Sequence, residues 1–328
     1  MSDRFSFDSA DELIQLLTTA HAYLRDNNNK LLLLFKQMGE AFRDGGYSEY
    51  LSAVNGAFNS STTTTQQLGV IIGSISRYRQ QLYDLYIDGL INQIGFETLT
   101  FDPDVRFGSS GEELERKQRQ LAFQNEIRQR MRDQVVPRAA KEMFARVGSN
   151  CVVASDSYTG TAYYSSISGS IKFNLEVDLS NPCGSLSTFF HEVGHMIDFQ
   201  TTPGRNLSAD CAFASALRED CEKLVYETQH RYGCSREDAY YHISRELMLD
   251  NDSYADVSDI LGSLTDCKCQ NLWGHSLAYW KSDPNRVERE AFANMYSVAL
   301  GSETRIKTMK RFFPSAYARF EKILEDNL

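Results

Sequence analysis

Residues 191–195 read His-Glu-Val-Gly-His, and they narrow what this chain can fold into more than any other stretch. On an α-helix, positions i and i+4 lie one turn apart on one face, so His191 and His195 can aim two imidazoles at one point. Neutral imidazole nitrogens at about 2.0–2.1 Å are what Zn²⁺ accepts. Glu192 projects toward the same cavity, where it can act as general base on a metal-activated water. Apolar residues at 186, 189, 190, 193, 196, 197 and 199 surround the motif and predict a buried helix. A buried histidine pair must be satisfied, and a metal satisfies it directly.

Upstream, residues 170–179 alternate with apolar side chains at 171, 173, 175, 177 and 179 and predict a strand. Residues 161–167 and 152–154 predict two shorter strands, with Gly160 and Gly169 at the turns. The fold class expected is therefore mostly α with a small β-sheet. An edge strand beside a metal-bearing helix could hold a peptide or protein substrate by main-chain hydrogen bonds.

Two histidines do not complete a catalytic zinc site, which takes a third protein ligand and leaves the fourth position to water. The segment 286–297 reads as an amphipathic helix in which Glu290, Ala293, Asn294 and Ser297 share a face. Glu288 is the rival, but two residues on a helix are about 200° apart, so only one of the pair can face the metal. Glu290 is preferred, because Ala293 beneath it would let its helix pack tightly against Gly194. Glu219 and Glu222, 24 and 27 residues beyond His195, remain alternatives. Asp198 is another, or it orients a ligand imidazole from behind.

The stretch His191-Glu-Val-Gly-His-Met-Ile-Asp198, followed by Glu290-Ala-Phe-Ala-Asn-Met-Tyr296, resembles the glutamate-zincin (gluzincin) pattern of anthrax-lethal-factor-like metallopeptidases. Residues 256–264, 274–280 and 312–320 resemble gluzincin-like domains of phage-associated and secreted Gram-positive proteins. The resemblance covers roughly residues 150–328 and implies a zincin-like α+β catalytic domain. It implies zinc held by His191, His195 and Glu290, with Glu192 as general base of a peptidase. That family pattern has a tyrosine seven residues before the ligand glutamate, as oxyanion donor. Here the position is Asp283, so Tyr279 or His275 is expected to take that role. His195 and Glu290 lie 95 positions apart, long for the family, which implies a helical insertion. Within it Ser208 and Ser235 are expected N-caps, and Ser253 is expected to open a third helix. The departure at 283 also leaves open a competing reading, a zincin-fold structural or binding module that cleaves nothing.

The 328 residues suffice for two domains, and 42% hydrophobic with 24% charged residues is ordinary for a globular protein. A net charge of −10 disfavours a nucleic-acid partner. The arginines and lysines between 116 and 138 alternate with Glu and Gln, as on the wet face of a helix. The longest apolar run, Leu31 to Phe35, is too short for a membrane span. The first residues lack the apolar core of a cleavable signal peptide, so synthesis in the cytoplasm is expected. Seven cysteines, scattered from 151 to 269, do not form a disulfide framework, and Cys267-Lys-Cys269 reads as structural.

Residues 1–100 read as a helical-hairpin domain, and residues 1–90 carry no catalytic constellation. A capping box at Ser9–Glu12 precedes apolar residues at helical spacing from Leu13 to Phe42. Asp44-Gly-Gly46 breaks the pattern, and a second helical stretch runs from Tyr47 to Leu85, weakened by the polar run 60–65. An antiparallel helical hairpin follows, one that cannot bury both its faces alone. Residues 42–50 resemble the turn of WXG-type helical proteins, with Phe42 at the tryptophan position. That resemblance implies a secretion chaperone or helical partner for residues 1–90, and export by a type VII system. Residues 101–150 read as a linker, with the domain boundary near 100–110, then a helix from about 112 to 147 interrupted at Pro137. The peptidase-like domain is 151–328.

Overall fold

The computed structural model describes residues 7–41, 47–94, 110–148, 151–155, 157–202 and 204–328. The chain divides into two compact units, Met1–Asp88 and Gly89–Leu328. The expected turn at 44–46, Phe42 of the WXG-like stretch and most of the expected boundary near 100–110 lie outside the described residues. The division observed falls inside the second helix, after Asp88.

The first unit is a pair of long helices, α1 (Phe7–Ala41) and the greater part of α2 (Tyr47–Gln93). They run antiparallel. Arg79 holds both carboxylate oxygens of Asp11 at 2.9 and 2.7 Å, and Gly69 lies opposite His21. Beyond the His21 level the buried Asn28 amide donates to Thr65 and accepts from Ser61, at 3.1 and 2.6 Å. The polar run 60–65 is helical, with the Thr63, Thr64 and Thr65 hydroxyls donating to the carbonyls four residues back. Helix α1 already begins at Phe7, so Ser9 lies within it rather than at its cap. Leu16, Tyr23, Val70 and Leu85 stay exposed, as expected of a hairpin too thin to bury both faces.

The second unit opens with the end of α2, from Gly89, followed by α3 (Ser110–Arg132) and α4 (Arg138–Gly148), broken just before Pro137 as anticipated. A three-stranded sheet follows: β1 (Val152–Ser155), β2 (Tyr163–Ser165) and β3 (Ser170–Lys172), in the order β1-β3-β2. β1 runs parallel to β3 and β2 antiparallel, with Tyr164 opposite Ile171, so β2 is an edge. The predicted strand 170–179 is corrected: it stops at Lys172, and α5 (Leu175–Leu179) takes its second half. Asn174 caps that turn by accepting from the Val177 amide at 3.1 Å, and Val177 points to solvent. The turn also brings Asp178 inward, where its carboxylate accepts from the amides of Thr188 and Phe189 at 3.0 and 2.8 Å. Asp178 thereby caps the next helix, α6 (Ser187–Gln200), whose own preceding residue Leu186 is left-handed and offers no cap.

The helical insertion is present as α7 (Cys211–Tyr232), α8 (Arg236–Leu247) and α9 (Ala255–Leu264). Ser235 caps α8 as expected. Ser208 does not cap α7; Asp210 does, while Ser208 sits in a 3₁₀ turn and donates to Asp198. Ser253 does not cap α9, whose preceding residue is Tyr254. The short α10 (Leu277–Trp280) leads to α11 (Arg286–Ala299), α12 (Glu303–Phe312) and α13 (Pro314–Asp326).

Helices α6 and α11 form the centre of this unit. Phe189, Phe190, Val193 and Ile197 on the first, and Ala291, Phe292, Met295 and Val298 on the second, are buried. Gly194 is the closest approach: a Cβ there would sit 2.7 Å from Ala293 Cα and 3.1 Å from Tyr296 Cβ. The expected fit of Gly194 against Ala293 is therefore present. No helix among the described residues is long and apolar enough to cross a membrane. Substituting Gly194→Ala should push the two helices apart and destabilise the unit by about 1–3 kcal/mol, the usual cost of overpacking. A chemical denaturation curve would show it as a lower midpoint; an unchanged midpoint would mean that the helices separate freely.

Candidate metal centre

Helix α6 carries three side chains to one spot, because an apolar face buries the helix while His191, Glu192 and His195 line a cleft of about 980 Å³. Helix α11 brings Glu290 to the same place. His191 Nε2 and His195 Nε2 lie 3.2 Å apart, and Glu290 Oε2 is 3.2 Å from the first and 3.3 Å from the second. These three residues could hold a metal ion, and they are the group of that kind among the described residues. The seven cysteines are free, and Cys267 and Cys269 join no such group. Cys269 is buried against the Tyr240 carbonyl, consistent with a structural role.

Electrostatics match the geometry. Burial opposes charge on Glu290, but hydrogen bonds and charge from His191 and His195 outweigh it and hold the carboxyl well below its usual range. Burial likewise opposes charge on His191, yet the Glu290 hydrogen bond and the carboxylates of Glu192, Glu290 and Asp259 raise it to about 9. Without metal, the cluster thus keeps a proton between imidazole and carboxylate.

The remaining candidates are resolved by their partners. Glu288 faces away from the histidines and pairs with Arg218 at 2.7 Å. Glu222 pairs with Arg236, and Glu219 is exposed. Asp198 neither ligates nor backs an imidazole: its oxygens accept from Asn206 and from both the amide and hydroxyl of Ser208, which ties down the turn after α6. Asp283 is paired with Arg289.

Both expected donors line the cleft. The Tyr279 hydroxyl donates to Glu290 Oε1 at 2.5 Å, leaving Oε2 to face the imidazoles. Burial first, then the Glu290 charge and hydrogen bond, push the Tyr279 phenol up. His275 stacks on the Tyr279 ring, with centroids 4.0 Å apart and planes at 14°. Its amide and its Nδ1 both lie 2.9 Å from Asp259 Oδ1. A carboxylate only accepts, so Nδ1 carries the hydrogen and Nε2 is left for the cleft. Burial opposes charge on His275, but the Asp259 hydrogen bond and charge raise its pKa.

Three contributors carry no role in the sequence reading. Asp259 holds His275, and Asn294 holds Asp259 by donating to Oδ2 at 3.0 Å. Asn294 stands one turn after Glu290 and shares its face, a usable signal. Asp259 gives none, since it meets His275 only through the tertiary path. The third is a main-chain group, the Tyr164 amide of β2, which donates to Glu192 Oε2 at 2.7 Å.

No family model, curated protein or solved structure matches the chain.

Metal binding must displace the shared proton, so apparent affinity for a divalent cation should climb about tenfold per pH unit and level off above about 9. Competition with a chromophoric chelator across pH would measure it. In the same assay Tyr279→Phe should cost about 10–100-fold, as for loss of an outer partner, and Glu290→Ala should cost more.

Proposed function

We propose that the chain is a zinc-dependent endopeptidase of the gluzincin type. The observation that carries this reading is the triangle of His191 Nε2, His195 Nε2 and Glu290 Oε2, with sides of 3.2–3.3 Å. Ligand atoms at about 2.0–2.1 Å from a tetrahedral zinc stand about 3.3–3.4 Å from one another. The residues present therefore fit that ion. Bound there, zinc would polarise a scissile carbonyl and lower the pKa of a water molecule.

The chain's own residues supply the rest. Glu192 takes the proton from that water and hands it to the leaving amine. Its carboxylate is oriented for this by the Tyr164 amide. Because that amide points out of the sheet, the free edge of β2 faces the cleft, where an extended peptide can add as a further strand. His275, fixed through Nδ1 by Asp259, which also favours its protonated form, presents the Nε2–H of the imidazolium as donor to the developing oxyanion. Tyr279 shares the wall and holds Glu290 in its ligating pose. For residues 1–90 the reading is a hairpin that meets a secretion chaperone or helical partner on export by a type VII system. Its exposed Leu16, Val70 and Leu85 support a partner.

Glu192→Gln should retain zinc at one ion per chain and abolish hydrolysis of a peptide library followed by mass spectrometry. A wild type that binds zinc yet cleaves nothing would favour the inert zincin-fold module instead. Turnover by the Gln variant above about one hundredth of wild type would remove Glu192 as base.

A further inference from the structure

One charged side chain in the wall of the cleft makes no ion pair of its own. Two arginines line the cleft, Arg286 and Arg289. Arg289 is ion-paired with Asp283. The acids of the same wall are engaged as well: Asp259 by His275 and Asn294, Asp256 by Arg305, and Glu192 by the Tyr164 amide. Arg286 makes no ion pair. Its guanidinium carbon lies 4.1 Å from the centroid of the Tyr279 ring, and its Nε is buried with no hydrogen-bond partner. The hydroxyl of that ring reaches Glu290 Oε1, so the cation stands one aromatic ring away from the ligand triangle.

We propose that Arg286 anchors a substrate carboxylate, and that the cleft selects peptides bearing one within about two residues of the scissile bond. This rests on the peptidase reading for its substrate class. A guanidinium is a planar fork that pairs with a carboxylate bidentately, and partial burial beside an aromatic face strengthens the pair. Arg286 lies four positions before Glu290 on the same face of α11, about 6 Å along the axis. That offset matches one to two residues of an extended peptide at about 3.3 Å each. Asp283 lies within electrostatic reach of Arg286 but is ion-paired with Arg289, so a substrate carboxylate can give Arg286 the direct pair it lacks. The carboxylate can belong to an Asp or Glu side chain or to a chain terminus.

The test uses the full zinc-loaded chain and matched fluorogenic peptides, with Glu or Gln near the cleaved bond and a free or amidated C-terminus. Wild type, Arg286→Gln and Arg286→Lys are compared by kcat/KM. Binding is read by anisotropy in Glu192→Gln with and without Arg286→Gln. Wild type should favour the carboxylate peptide by at least about tenfold. Arg286→Gln should bring that ratio to about one whatever its absolute rate, and Arg286→Lys should keep part of it. A Glu-over-Gln preference assigns a side-chain carboxylate, and a free-over-amidated preference assigns a terminus. If Arg286 only props Tyr279, its loss slows all peptides alike and leaves the ratio unchanged, which overturns the anchor. Cleavage by wild type without acid preference also overturns it and leaves the peptidase reading standing. If nothing is cleaved but binding shows an Arg286-dependent preference, the anchor holds and the peptidase reading falls. Binding without preference overturns the anchor.

Discussion

The absence of a side chain at Gly194 is what lets α6 and α11 touch backbone to backbone. The two helices run antiparallel, and the contact is pinned at one end by Ser297, whose hydroxyl donates to the Ser187 carbonyl at 2.8 Å. Near the other end, Glu290 meets the histidine pair. A wider separation would carry Oε2 beyond the 3.2–3.3 Å now seen, since a glutamate side chain cannot lengthen. Helix–helix distance is usually set by the residues at the crossing, and here a Gly against an Ala makes it short. The site is therefore a consequence of core packing before it is a matter of ligand identity.

The same packing explains how so many ionisable groups tolerate enclosure. Each buried carboxylate of the region has donors aimed at it: Asp178 receives two helix amides, Asp198 a hydroxyl and an amide, Asp259 an imidazole and a carboxamide. Glu290 divides its two oxygens between a phenol and the imidazoles. Such division favours one-oxygen ligation, because Oε1 is already committed. Buried charge without such partners would be expelled or neutralised.

Local periodicity made the centre of the site legible in the sequence. The i, i+4 histidines lie on one helix, and Glu290 was separated from Glu288 by angular position and by the small Ala293 next to it. Both are properties of single helices. The segment 175–179 misled for a related reason: Leu175 and Leu179 fit a spacing of four as well as of two, so five residues cannot distinguish strand from helix. Asp178 was unreadable as a cap because its partners, Thr188 and Phe189, belong to the next element. Asp259 and His275 are sixteen positions apart and meet through a loop path that no short pattern records. Arg286 gives no signal in the sequence, because the lack of an ion pair is a property of the folded wall, not of its neighbours in sequence.

The Asn28 carboxamide, enclosed between Ser61 and Thr65, has a consequence for the register of the hairpin. Sliding one helix past the other by a turn, about 5.4 Å, would leave that amide with one of its two hydroxyl partners and cost about 0.5–1.5 kcal/mol for the lost hydrogen bond. Greasy seams alone tolerate such slippage; a single amide–hydroxyl rung does not. The outward Leu16, Val70 and Leu85 are thus held at fixed spacing along the pair, like marks on a ruler.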